Sequence, residues 1–196
     1  TFGDYIISGV ADGHGGPAAA YTCKDNIKMI DDIFDPENIE KSIISLFHEL
    51  HKKCKNLSCN SGCTLTIIMI NKNTGEYTCA NVGDSHAIHV KCNAFMYITT
   101  SHRLEDNAHE RSKLKKYVHF LKNDTGKPCG PPRLFPGGLA CSRSIGDNDC
   151  EYITPEPHIY SDILESEDSI IVCTDGVWDN VKTSEVIKIV RDTNNP

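Results

Sequence analysis

Apolar residues fall into two periods along this chain, and the switches between them predict its elements. Tyr5–Ala11 is a short, β-branched run, YIISGVA, which stops at Asp12-Gly13-His14-Gly15-Gly16, a glycine-rich exposed turn. Pro17 sits where a first helical turn tolerates proline, and Ala18–Ile30 continues in helix formers up to Asp31-Asp32. Ile39, Ile43, Phe47 and Leu50 then recur at intervals of three and four, predicting a second helix from Pro36 with one apolar stripe. The middle of the chain changes to short β-rich runs at Thr64–Ile70, Glu76–Val82, Ala87–Val90 and Phe95–Thr99, an antiparallel meander joined by turns at Gly75 and at Gly83-Asp84-Ser85. Leu104–Val118 carries a loose helical pattern, and Leu121–Gly138, rich in Gly, Pro and Lys, reads as a long surface loop. Ile159–Leu164 and Ser169–Thr174 are two further strands, and Ser184–Arg191 is a last helix capped by Thr183 or Ser184. Helices on both sides of a block of antiparallel strands predict an α+β layered domain, since each amphipathic helix must bury its stripe on a sheet face.

Size and charge narrow the picture. A chain of 196 residues is the size of one domain, so residues 1–196 are expected to form a single unit. The net charge of −7 argues against a domain held to nucleic acid by general electrostatics, and no apolar run reaches the roughly 20 residues that a membrane helix needs. The ten cysteines are scattered singly through apolar segments, which fits a reducing, intracellular compartment, cytoplasmic or nuclear. Cys54, Cys59 and Cys63 with His48 and His51 contain no CxxC pair, so core cysteines and solvated histidines are expected there instead of a zinc cluster.

Chemistry enters at the strand ends. Val10-Ala11-Asp12-Gly13, Val82-Gly83-Asp84 and Cys173-Thr174-Asp175-Gly176 each deliver an Asp beside a Gly, and Asp179 follows four residues after Asp175. One such Asp is ordinary turn chemistry. Three together form a cluster of hard oxygen ligands of the kind Mg²⁺ or Mn²⁺ selects, and their mutual repulsion makes a bound cation favourable. His14, two residues from Asp12, is a candidate general acid at the same turn.

DGHGG at Asp12–Gly16, SGCT at Ser61–Thr64, NVGDSHA at Asn81–Ala87, GGLACSRSIGD at Gly137–Asp147 and TDGVWD at Thr174–Asp179 resemble, in order and spacing, the signature motifs of the type 2C metal-dependent protein serine/threonine phosphatases. That resemblance implies an α/β/β/α four-layer sandwich of two antiparallel sheets flanked by helices. It implies hydrolysis of phosphoserine and phosphothreonine in proteins by a water activated between two Mg²⁺ or Mn²⁺ ions. By position, Asp12 resembles the carboxylate bridging both ions, the Gly13 carbonyl a ligand of one and Asp175 a terminal ligand of the other. Asp84 and Asp179 resemble holders of a weaker third ion, and His14 the acid that protonates the leaving oxygen. The family also carries a phosphate-gripping Arg and an acidic residue upstream of the first strand, and a metal-binding Asp-Asn pair downstream. The stretch beginning at Thr1 is therefore expected to lack terminal segments, and Asn194-Asn195 is no substitute for the second pair. The alternative is a pseudophosphatase, the same fold kept as a binding or scaffolding module.

Overall fold

A computed structural model of the chain describes residues 3–92 and 94–193, so the Asn194-Asn195 pair lies outside the described residues. The chain runs β1 (Tyr5–Val10), β2 (Gly13–His14), α1 (Ala18–Asn26), a 3-10 turn (Ile27–Met29), α2 (Ile30–Ile33), α3 (Ile39–Lys55), β3 (Gly62–Cys63), β4 (Leu65–Asn71), β5 (Glu76–Val82), β6 (His86–Val90) and β7 (Phe95–Tyr97). It continues with α4 (Ala108–Lys113), β8 (Val118–Lys122), β9 (Pro128–Leu134), β10 (Ile145–Gly146), β11 (His158–Ile163), β12 (Ser169–Cys173), α5 (Asp175–Trp178) and α6 (Thr183–Asp192).

Two antiparallel sheets carry the architecture, one in the order β1-β4-β5-β11 and the other in the order β12-β6-β7. The alternation of side chains along each strand explains how they stack. On the first sheet Leu65, Ile67, Met69, Ala80 and Val82 meet Ala19 and Cys23 of α1 and Ile43, Leu46, Phe47 and Leu50 of α3. The other face, with Ile68, Tyr77 and Cys79, packs against Ala87, Ile170 and Val172 of the second sheet. The outer face of that second sheet, with Ile88, Val90 and Ile171, is covered by Trp178 of α5 and Ile187 of α6. The result is the α/β/β/α order of layers, an α+β fold. Tyr77 and His89 span the interior of the sandwich, the Tyr77 hydroxyl 2.9 Å from Nδ1 of His89 and His89 Nε2 2.8 Å from Asp168, so the polar atoms of this buried histidine are satisfied.

Several sequence expectations are corrected here. The first helix breaks at Asn26 into a 3-10 turn and a short second helix. The stripe helix starts at Ile39, not Pro36, because the Asn38 side chain accepts the Lys41 N–H and caps it. The last helix has no side-chain cap, its N-cap being Lys182. The surface loop contains a hairpin, β8 with β9, built over a proline-rich stretch that periodicity hides, and the helix before it shrinks to α4. All ten cysteines are free, and His51 is half-buried instead of solvated, its Nδ1 accepting the Gly146 N–H at 3.1 Å. Among the described residues no helix is long and apolar enough to cross a membrane.

Candidate active site

A third, very small sheet builds the site. It has the order β10-β3-β2, in which Gly13 pairs with Cys63, His14 with Gly62, and Gly62 again with Gly146. Three motifs far apart in sequence therefore meet through backbone hydrogen bonds. Glycine is needed at the middle of this sheet, since a Cβ on Gly62 would overlap the Asp147 carboxyl just beyond β10. The end of β1 is locked to the same place, with Asp12 N–H donating to Thr64 Oγ1 at 3.1 Å and Thr64 N–H donating to the Asp12 carbonyl at 2.9 Å.

These elements surround a cleft of about 510 Å³ lined by Asp12, His14, Asp84, Cys141, Arg143, Asp147 and Asp175 among others. Four of the candidate site residues, Asp12, His14, Asp84 and Asp175, thus share one cavity wall. Gly13 lies in β2 and Asp179 at the end of α5, and neither lines the cleft. Asp175 is held above the usual carboxylate range by burial and by the neighbouring carboxylates of Asp84 and Asp12, against the opposing pull of Arg103. Asp12 and Asp175 thus form a neighbouring acidic pair. Its donors are all oxygen, which suits a hard divalent ion, whereas among the described residues no three His, Cys, Asp or Glu side chains converge into a complete cage.

Two residues that sequence reasoning did not single out complete the electrostatics. Asp147, only 1% exposed, accepts a 2.7 Å hydrogen bond at Oδ1 from Nε2 of His14 and a short one at Oδ2 from Ser144. Burial disfavours the charged imidazole of His14, but the hydrogen bond and charge of Asp147, with the charges of Asp84 and Asp12, outweigh it and raise the pKa. Asp147 closes the GGLACSRSIGD segment, so its position was readable, but its pairing with a histidine 133 residues away was not.

Arg103 is the second. Its Nε donates to Asp84 at 2.9 Å, Nη2 to Asp175 at 3.0 Å and Nη1 to Asp179 at 3.0 Å. Three of the five candidate ligands are therefore joined through one guanidinium. Nothing in the sequence marks Arg103, which falls between the strand run Phe95–Thr99 and the loosely periodic Leu104–Val118. A further arginine of the cleft, Arg143, is committed to Glu110 at 2.8 Å and to the Glu156 carbonyl at 2.9 Å.

Comparison with known proteins agrees with this geometry. The family model described as "Protein phosphatase 2C" matches residues 4–196. "Probable protein phosphatase 2C 12" of Arabidopsis thaliana is 32% identical across 95% of this chain and 47% of its own length, and "Probable protein phosphatase 2C 3" of Oryza sativa is 31% identical across 95% and 41%. The chain thus spans about half the length, or less, of these curated relatives. Among solved structures, a sex-determining protein of Caenorhabditis elegans superimposes with a TM-score of 0.83 at 19% identity, covering 98% of this chain and 49% of that one. A serine-threonine phosphatase 2C of Toxoplasma gondii superimposes at 0.68 with 20% identity, covering 96% and 73%. At such identities the structural likeness speaks to the fold.

Proposed function

Because the chain belongs to the protein phosphatase 2C family, we propose that it forms the catalytic part of a metal-dependent protein serine/threonine phosphatase. The observation that carries the reading is the pairing of Asp12 with Asp175 in the same cleft as a histidine held by a buried carboxylate. Asp12 and Asp175 would hold the cations, because two neighbouring carboxylates with hard oxygen donors fit Mg²⁺ or Mn²⁺. When bound, such ions acidify water for in-line attack and offset charge on the phosphoryl oxygens.

The protein's own groups do the rest. Asp147 holds the Nε2 side of the His14 ring, which leaves Nδ1 as the nitrogen free to give a proton to the departing seryl or threonyl oxygen. The backbone lock between Asp12 and Thr64 keeps the Asp12 carboxylate in place while charge at the site changes. Cys141, well within reach of Asp84, is not the nucleophile, because burial and the Asp84 charge push its thiol far above the range where a thiolate forms.

The test is phosphate release from a phosphothreonine peptide by the natural full-length protein, with Mn²⁺ and after chelation. Release that requires Mn²⁺ is expected. A folded protein that binds the phosphopeptide but releases no phosphate at any Mn²⁺ concentration would turn the reading to a binding module.

A further inference from the structure

Arg103 places a fixed cation where the proposed function calls for an exchangeable one. Its guanidinium reaches Asp84, Asp175 and both carboxylate oxygens of Asp179 at 2.9 to 3.3 Å, so the three nitrogens of the fork are all engaged. The backbone beneath it is held from both sides: His102 N–H donates to the Gly83 carbonyl at 3.0 Å and Leu104 N–H to the Ala140 carbonyl at 2.8 Å. Asn107 N–H in turn donates to the carbonyl of Arg103 itself at 2.9 Å. Its side chain is 23% exposed, so Arg103 is largely buried among these carboxylates.

We propose that Arg103 is a built-in counter-cation for the outer carboxylates, so that a divalent ion reaches Asp84 and Asp179 only by displacing the guanidinium. This rests on the reading of Asp12 and Asp175 as the inner metal ligands. The physical reason is charge balance. Asp84, Asp175 and Asp179 converge on one guanidinium, whose positive charge already offsets a third of their negative charge through charge-assisted hydrogen bonds. An incoming ion must break those bonds and leave the guanidinium without partners in a half-buried position, which lowers its affinity for this set on the order of tenfold or more. The inner pair carries no such resident cation on Asp12, so the two sets fill in sequence. Arg103 thereby decides how many ions the protein holds at a given Mn²⁺ concentration.

The test counts ions and does not depend on turnover. Mn²⁺ is titrated into the natural full-length protein, and free Mn²⁺ is read by electron paramagnetic resonance alongside calorimetry. Arg103→Met is expected to bind one more ion than wild type at the same Mn²⁺ concentration, or to bind its weakest ion on the order of tenfold more tightly, and adding Asp179→Asn to that variant should remove the gain. Equal ion number and affinity in wild type and a folded Arg103→Met protein would overturn the proposal. Should Arg103→Met fail to fold, wild type itself decides: the Arg103 Nε–H resonance should shift during a Mg²⁺ titration only after the first ions have bound, and a resonance that never shifts would overturn it. The inner reading fails differently, by Asp12→Asn leaving the tightest Mn²⁺ binding unchanged whatever occupies position 103.

Discussion

Two groups of crowded acids are neutralised in opposite ways. In one, Asp84 and Asp179 lean on Arg103, a permanent cation fixed by the backbone on either side of it. In the other, Asp12 neighbours Asp175 with one arm of Arg103 on the latter, and Asp147 is matched by His14, whose charge comes and goes with a proton. A permanent charge serves a place that must stay assembled. On the proposed function the second group must change its charge during a reaction, and it has exchangeable partners in a carboxylate pair that would hold divalent ions and in an imidazole.

On that contrast, the largest effect belongs to the pair of Asp12 and Asp175. Asp12→Asn should lower phosphopeptide hydrolysis by roughly a thousandfold or more while circular dichroism stays that of wild type, because on the proposed function Asp12 would hold the cations that activate water. A loss below tenfold would place the catalytic charge elsewhere. Next comes His14→Gln, for which a loss on the order of a hundredfold is expected with phosphothreonine peptides and less than tenfold with an aryl phosphate, whose phenoxide leaves without protonation. Equal losses on both substrates would remove His14 from the role of acid.

Asp147 sharpens the comparison by asking whether the histidine works alone. It adopts a left-handed backbone with φ of 55°, a conformation that Asn tolerates better than other side chains, so Asp147→Asn removes charge with little backbone strain. The expected outcome is a loss of kcat on the order of tenfold with the same alkyl-over-aryl bias as His14→Gln, and KM close to wild type. A loss that falls equally on both substrates would make Asp147 a purely structural residue. Destabilisation of about 1–3 kcal/mol is expected besides, read from urea unfolding, because Ser144 and His14 both lose a buried charged acceptor.

The layers and the ends of the strands were legible in the sequence because they rest on period and on Asp-Gly punctuation. The apolar run within Leu65–Asn71 and the stripe from Ile39 to Leu50 mark a buried strand and a helix packed on a sheet, enough for a layered α+β domain, whereas the order of the layers followed only from the resemblance of the motifs. Candidate ligands were legible one strand at a time. Partnership between distant segments was not: the β10-β3-β2 sheet pairs two residues at a time, far too few to leave a periodic signal, yet it brings His14 to Asp147. Arg103 was hidden for a related reason. An arginine in a polar stretch resembles any solvated one until the fold places three carboxylates around it. The hairpin of β8 and β9 escaped because Pro128, Pro131 and Pro132 read as loop.

The smallest expected effect concerns the turn where Gly83 carries the chain from β5 to Asp84. His102 Nδ1 lies 3.1 Å from both the N–H and the carbonyl of Gly83, and Nε2 of the same buried ring has no hydrogen-bond partner among the described residues, so a second ring proton would have no acceptor there. Burial, with Arg143 nearby, pushes the pKa of His102 down from its ordinary 6.5 to about 3. A histidine with a lowered folded pKa binds its proton only after unfolding, so between pH 6.5 and 3 stability falls as pH falls, by at most about 1.4 kcal/mol per unit from this ring. Going from pH 6.5 to 5 should cost about 1.6 kcal/mol through His102, and its slope fades to nothing within about one unit above pH 6.5. His51, lowered to about 4, acts in the same direction, and Glu110, held low against its own burial chiefly by the Arg143 hydrogen bond, adds its loss only below its ordinary 4.5. His14 has the opposite sign, since its raised pKa gives stability that is present below 6.5 and is lost only as pH rises past it. The window from pH 5 to 6.5 therefore isolates the buried neutral rings. Urea midpoints measured across that window for wild type and His102→Gln should differ in slope by close to one proton, and an unchanged slope would show that His102 is protonated in the folded protein, leaving the Gly83 turn held by something other than a neutral imidazole.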